Sequence, residues 1–213
     1  MKNLVIIALS GFLMLSACGI SWAGKPDAKP VTRYLPKKLD YRKGDPRHNV
    51  MQAANALKRL GYRVDVLDDS GYVARVLMRL QTVNGKFTGA SEIRIQLNKS
   101  NALWMDPEEN TKIGYQLKIF SSPHPMHVLF HELAHIEYCA QPLPKKLSGR
   151  EVRIAESLSD KAAMDGKEYV AEYVARKRAG LKTSAEMDAM FSRFTKVPTP
   201  SCAIPGTETF RGQ

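Results

Sequence analysis

The segment VLFHELAHIEY at residues 128–138 restricts the possible folds of this 213-residue chain more than any other part of the sequence. It is predicted to be helical, and His131 and His135, four residues apart, then project side by side from one face. Two imidazoles at this spacing can hold one Zn²⁺, and Glu132 lies about 100° further round the helix, where it can act as a general base. Since a catalytic zinc needs a third protein ligand, the chain must fold another segment back onto this helix.

The segment AESLSD at residues 155–160 supplies the candidate third ligand. Glu156 and Asp160 are four residues apart on a predicted helix, and the loop before it is long enough to bring this helix alongside the first. Glu156 then completes a ligand set with the two histidines, and Asp160 fixes the tautomer of His131 through its far ring nitrogen. The alternative is a solvated helix face supported by ion pairs. The sequence predicts one Zn²⁺ per chain.

The pattern HELAH, then 20 residues, then ESLSD resembles the gluzincins, the zinc metallopeptidases related to thermolysin. These carry H-E-x-x-H on one helix and E-x-x-[SA]-D on the next. The run NALW at 101–104 is similar to their Asn-Ala-aromatic edge strand, although Leu103 replaces the aromatic residue. The resemblance implies that Asn101 and Ala102 bind the substrate main chain, as an extended peptide adds to a sheet edge. The alternative for these two residues is a plain loop.

The resemblance covers about residues 100–160 and implies a metalloendopeptidase that acts on peptides or proteins, with Glu132 as the general base. The sequence has no G-x-M-E-N-type motif, which would bind a free amino terminus, so an endopeptidase is favoured over an aminopeptidase. Larger family members stabilise the oxyanion with a His or Tyr beyond the Glu-bearing helix, but no His follows His135. The candidates for that role are an arginine or one of three tyrosines, Tyr138, Tyr169 and Tyr173. His127 is interpreted as a cleft-lining or packed residue and His124 as a loop residue.

Two other functions are compatible with the sequence. One is a zinc-stabilised envelope lipoprotein that acts as a binding or assembly factor without turnover, and the missing oxyanion partner motivates it. The other is a lipoprotein of unrelated role whose histidines are ordinary core or surface residues. Nucleic acid is not an expected partner, because no basic helix is interleaved with aromatic residues.

The first 23 residues are predicted to be an export signal. The 12-residue apolar run at 4–15 is too short to span a bilayer and has the length of a secretory signal core. The sequence LSAC resembles the lipobox of bacterial lipoproteins, in which Cys18 carries the lipid, whereas SWAG fits cleavage after Ala23. Both predict a protein of the periplasm or cell envelope, and the first adds a membrane anchor made of lipid. A retained membrane anchor is a third alternative.

The segments on either side of the predicted folded domain at 48–196 differ from it in composition. Residues 24–47 hold eight Lys or Arg and three Asp, and so contribute +5 to the net charge of +11. This Pro- and Lys-rich segment is predicted to be a tether for an anionic surface or a solvated linker. A Pro-rich tail follows at 197–213. Cys139 and Cys202 form an even pair that predicts a disulfide in an oxidising compartment, and two free buried thiols are the alternative.

The periodicity of the chain predicts an α+β fold with a small, mainly antiparallel sheet packed on the H-E-x-x-H helix and a Glu-bearing helix after it, as in the zincins. Alternating patterns predict strands at 62–69, 91–98 and 114–122, while 71–85 is ambiguous. Helices are predicted at 49–60, from 126 to about 139 and from 150 to about 164. A further helix is predicted to follow and to end at 180, and a short one spans 184–194.

Overall fold

The computed structural model describes residues 35–68, 71–83, 86–139 and 141–196. Within these ranges the fold is α+β, with one three-stranded sheet and six α-helices, so the α+β part of the predicted fold is confirmed. The helices are α1 (Pro46–Arg59), α2 (Pro107–Gln116), α3 (His127–Glu137), α4 (Gly149–Glu156), α5 (Gly166–Arg178) and α6 (Ala185–Phe194). The strands are β1 (Arg63–Leu67), β2 (Ala74–Val83) and β3 (Lys86–Asn98), and two 3₁₀ helices span Ala102–Met105 and Lys161–Ala163. In the described ranges, no helix combines the length and apolar character needed to cross a bilayer.

The sheet is mixed. β3 lies in the centre and pairs antiparallel with β2 but parallel with β1, so the predicted antiparallel pairing holds for one of its two neighbours. The predicted alternation of β3 is confirmed, because Ile93, Ile95 and Leu97 are all buried. β2 forms the edge of the sheet that lies beside α3. The alternation of apolar residues could not distinguish parallel from antiparallel pairing, since its period of two is the same for either strand direction.

The predicted strand at 114–122 is wrong, because its first three residues are the end of α2 and the chain then turns. The side chain of Asp106 caps this helix by accepting a hydrogen bond from the N–H of Glu109, and Pro107 takes its first position. Acidic residues in the first turn add favourable charge at the positive end of the helix dipole. These start signals outweigh the short alternation that follows them.

The folded region begins before residue 48, within the segment predicted to be a tether. Leu35 and Leu39 are buried in the main hydrophobic cluster. The buried side chain of Asn49 donates hydrogen bonds to the carbonyl oxygens of Arg42 and Trp104, both at 2.7 Å. Residues 35–47 therefore pack onto the domain.

The predicted signal with Cys18 and the tail with Cys202 lie outside the described residues. The Cys139–Cys202 disulfide therefore stays a prediction. Cys139 itself follows α3 and packs against the main hydrophobic cluster.

Helix α3 lies between two hydrophobic clusters. The main cluster joins α3 to α1 and the sheet, and the second joins Ala134 of α3 to α4, α5 and α6. Nine of the 11 residues of α3 are buried, and three of them are His127, His131 and Glu132. A buried polar group without a partner costs about 1–3 kcal/mol, so these side chains require specific neighbours.

Candidate metal centre

Two helices bring the polar side chains of this site together. α3 carries His127, His131 and His135 at intervals of four residues, so all three lie on one face. α5 packs against α3 and carries Glu168 and Glu172, also four residues apart. A row of three imidazoles thus faces a row of two carboxylates in the interior of the protein.

Three ligand atoms converge at one end of these rows. His131 Nε2 lies 3.0 Å from His135 Nε2 and 3.1 Å from Glu168 Oε2. His135 Nε2 lies 3.4 Å from Glu168 Oε1. A tetrahedral ion with bonds of about 2.0–2.1 Å separates its ligand atoms by about 3.3 Å, so this spacing fits one metal ion. The same carboxylate oxygen of Glu168 also lies 3.4 Å from the ammonium group of Lys161, so it faces positive charge.

The second carboxylate, that of Glu172, lies behind His131. Glu172 is fully buried, and its Oε1 lies 2.8 Å from His131 Nδ1 and 3.1 Å from His127 Nε2. Its Oε2 accepts hydrogen bonds from the backbone N–H of Ser121 at 2.7 Å and from the hydroxyl of Ser159 at 3.2 Å. With its charge on the Nδ1 side of His131, Glu172 favours the tautomer that leaves the Nε2 lone pair free to bind a metal.

His127, His131 and Glu172 also lie close enough together to bind a metal ion. Both oxygens of Glu172 already have protein partners, and the Oγ of Ser122 lies 3.1 Å from His127 Nδ1. The backbone N–H of Ser121 and the hydroxyl of Ser159 thus hold Glu172 in place. The carboxylate of Glu168 contacts only the two histidines and Lys161 among the described residues, so His131, His135 and Glu168 are the stronger candidate ligand set.

The charges at the site depend on one another. Burial alone would lower the pKa of His131, but its contacts with Glu168 and Glu172 outweigh burial and raise the pKa to about 9. Burial opposes ionisation of Glu168, yet His131 and His135 hold the pKa of its carboxyl far below the ordinary value. Burial likewise opposes ionisation of Glu172, and His127 and His131 hold its pKa well below the usual range. The negative charges of Glu168 and Glu172 therefore favour a positive charge at His131, which either a proton on the ring or a bound metal ion can provide.

A cavity of about 180 Å³ opens beside this cluster, and its wall includes His131, Glu132 and Lys161. Glu132 is buried, and its carboxylate has no hydrogen bond or ion pair with any described residue. This carboxylate in the cavity wall is therefore available to a molecule in the cavity. Tyr72 and Phe120 add an apolar surface to the same wall.

Lys161, which sequence reasoning missed, brings a positive charge to the cavity. Its Nζ lies 3.0 Å from His131 Nε2 and 3.4 Å from Glu168 Oε2. The three tyrosines considered for the oxyanion do not line this cavity. Tyr169 donates to the carbonyl of Met187, Tyr173 donates to Asp188, and the ring of Tyr138 packs on Phe191.

The structure does not bring Glu156 and Asp160 to the histidines, so the predicted roles of both residues are corrected. α4 ends at Glu156, whose side chain is exposed, and neither acid belongs to a potential metal-binding group. Asp160 is exposed, and its backbone N–H donates to the carbonyl oxygen of Lys118 at 2.7 Å. The predicted helix from 150 to 164 breaks after Glu156, and the helix that packs on α3 is α5. The E-x-x-x-E spacing at 168–172 was the signal available in the sequence.

Asn101 and Ala102 do not lie on an edge strand. They follow β3 in a turn, where the Asn101 side chain accepts a hydrogen bond from the N–H of Leu103 at 2.9 Å and caps a 3₁₀ helix. The amide of Asn101 donates to the carbonyl oxygen of Tyr72 at 3.3 Å. The edge strand beside the cavity is β2, whose first residue, Ala74, lines it.

Two further histidines near the motif, His127 and His124, lie where the sequence predicts them. His127 is 1% exposed and forms part of the cavity wall. His124 lies in the loop before α3, where its Nδ1 accepts a hydrogen bond from the N–H of Met126.

Comparisons of the chain with protein families, with curated protein sequences and with solved structures find no match.

Proposed function

We propose that this protein is a zinc-dependent metalloendopeptidase in which His131, His135 and Glu168 hold one Zn²⁺ and Glu132 is the general base. The observation that carries the proposal is the convergence of two imidazole nitrogens and the Glu168 carboxylate, with contacts of 3.0–3.4 Å, beside the carboxylate of Glu132 in the cavity wall. Two imidazoles and one carboxylate are a common ligand set of catalytic zinc, which keeps a further position open. The cavity beside Glu132 provides space for a substrate at that position.

The proposal keeps the resemblance to gluzincins with two changes. The acid pair Glu168 and Glu172 takes the roles that the family pattern would give to Glu156 and Asp160, and it begins after 32 residues beyond His135 instead of 20. The residue that orients His131 is a glutamate where the family pattern has Asp. In this proposal the packing of α3 and α5 beside edge strand β2 is the zincin-like core.

Each residue of the site has a defined task in peptide hydrolysis. Bound zinc supplies Lewis-acid activation of the scissile carbonyl and of water. Glu132 accepts a proton from the attacking water and then delivers it to the leaving amine. Glu172 holds His131 in its metal-binding tautomer. The charge of Lys161 stabilises negative charge that develops on the carbonyl oxygen.

The edge of β2 offers main-chain groups to an extended peptide or protein substrate, which would add to the sheet as a further strand. Export to the cell envelope, with or without a lipid on Cys18, is part of the proposal and is supported by the signal-like pattern of the first 23 residues.

Metal content and cleavage together test the proposed function. We expect the mature chain, purified from an oxidising compartment without a chelator or histidine tag, to contain about one zinc by mass spectrometry. It should cleave members of a peptide library, lose this activity in a chelator and regain it with Zn²⁺. Zinc without cleavage would favour a zinc-stabilised binding protein, and folded protein that takes up no zinc would exclude both functions.

Removing the charge of Glu172 should weaken metal binding although Glu172 is not a ligand. In Glu172→Gln we expect the Kd for Zn²⁺ to rise by about 10–100-fold, as for other partners of metal-bound histidines. The matched control is Asp160→Asn, because Asp160 is exposed and lies outside the cluster. Competition with a chromophoric chelator gives both Kd values, and equal values for the two variants would contradict the role assigned to Glu172.

A further inference from the structure

Arg75, on edge strand β2, is held in one orientation beside the cavity. Its Nε–H donates a hydrogen bond to Gln96 Oε1 at 2.7 Å, and its guanidinium carbon lies 4.3 Å from the centroid of the Tyr72 ring. Tyr72 lines the cavity together with His131 and Glu132. Two neighbours therefore fix this guanidinium against a residue of the cavity wall, which reduces the entropy that it loses on binding a ligand.

The remaining donors of Arg75 are available to a ligand. Arg75 is exposed, and it makes no ion pair with a carboxylate in the part of the chain that the structure describes. Two other arginines of the sheet are paired, Arg94 with Asp65 at 3.2 Å and Arg79 with Glu92 at 3.5 Å. The free Nη groups of Arg75 form a planar fork that matches the two oxygens of a carboxylate.

The position of Arg75 on β2 places this fork near a bound peptide. Ala74 lines the cavity, and Arg75 is the next residue along the strand. A peptide strand added to the edge of β2 would run about 4.8 Å away, with a rise of about 3.3 Å per residue. Peptide residues within about two positions of the bond over the cavity can then place a side chain at Arg75.

We propose that Arg75 forms a subsite for acidic side chains, so that the substrates are acidic segments of peptides or proteins with Glu or Asp close to the cleaved bond. The inference rests on the proposed endopeptidase function and names its substrate class. The net charge of +11 acts in the same direction, because it attracts acidic chains before contact.

Matched peptides test this subsite. Peptide pairs that differ only by Glu or Gln, scanned across the positions on either side of the cleaved bond, are assayed for kcat/KM with the zinc-loaded chain. The Kd of the same pairs is measured by fluorescence anisotropy in the Glu132→Gln background, which does not depend on turnover. Arg75→Gln removes the fork, Arg75→Lys keeps the charge alone, and Arg63→Gln is the control. Arg63 is an exposed arginine on the same sheet face but on the opposite edge strand.

At one or two positions we expect the Glu peptide to bind about 10–100-fold more tightly than the Gln peptide, with a similar ratio in kcat/KM. The ratio should fall to about 1 in Arg75→Gln, take an intermediate value in Arg75→Lys and persist in Arg63→Gln. Equal binding of both peptides by the wild type, or a preference that survives Arg75→Gln, would overturn the subsite. Preferential binding of the Glu peptides without cleavage would support the subsite and overturn the peptidase function. Cleavage without a preference for Glu would support the peptidase function and overturn the subsite.

Discussion

Glu168→Ala is expected to lose zinc binding, whereas Glu156→Ala is expected to bind zinc as the wild type does. Glu168 places a carboxylate oxygen 3.1 Å from His131 Nε2, while the side chain of Glu156 is exposed at the end of α4. If the roughly 10–16 kcal/mol of a structural zinc site is divided among three ligands, the loss of one removes about 3–5 kcal/mol. This corresponds to a rise in the Kd for Zn²⁺ of about 10²–10³-fold or more.

The pair of variants separates the ligand set that the sequence predicts from the one that the structure brings together. Both are Glu→Ala changes on helices, and alanine preserves helix propensity. The measurements are zinc per chain after purification and the Kd from chelator competition, with far-UV circular dichroism as the check on folding. If Glu156→Ala loses zinc and Glu168→Ala keeps it, α4 supplies the third ligand and the site described here is incorrect.

Glu132→Gln is expected to abolish almost all turnover and to leave zinc content and folding intact. The change keeps the size of the side chain but removes the group that accepts the proton. Loss of a general base lowers kcat by about 10²–10⁴-fold. Because Glu132 makes no hydrogen bond or ion pair with any described residue, its replacement breaks no structural contact there.

The assay for Glu132→Gln compares kcat on the best library peptide with zinc content and peptide Kd. Glu156→Gln, which makes the same chemical change at an exposed position, serves as the control and should retain the wild-type kcat. Undiminished cleavage by Glu132→Gln would show that Glu132 is not the base. If Glu132→Gln lost zinc together with activity, Glu132 would be needed for metal binding, and its role as the general base would not be supported.

Capping chemistry and periodicity explain which elements the sequence could predict. The predicted helix at 184–194 matches α6 closely, and the alternation of β3 buries the expected residues. The capping signals of α6 and the alternation of β3 depend on residues within a few positions of one another, so they have the same effect in any tertiary context. The strand predicted at 114–122 is wrong because the capping signals of Asp106 and Pro107 start a helix, which overrides the short alternation that follows.

The composition of α5 contained a signal for the two acids. Glu168 and Glu172 are each followed by the apolar triplet YVA, and eight residues of α5 are buried. In α4, GREVRIAE, charged residues dominate and Ala155 is its one buried residue. Acids inside an otherwise apolar helix must be paired, and the facing imidazoles of α3 are their partners.

The sequence by itself determined the local geometry of the site, because the spacing of four residues on a helix places His131 and His135 on one face whatever the rest of the chain does. It also determined that an acid pair at the same spacing would complete the site. Only the tertiary structure decided that Glu168 and Glu172, and not Glu156 and Asp160, lie beside the histidines, since both pairs satisfy the same local rule. The choice depends on which helix buries its apolar face against α3, and that is a property of packing across the whole core.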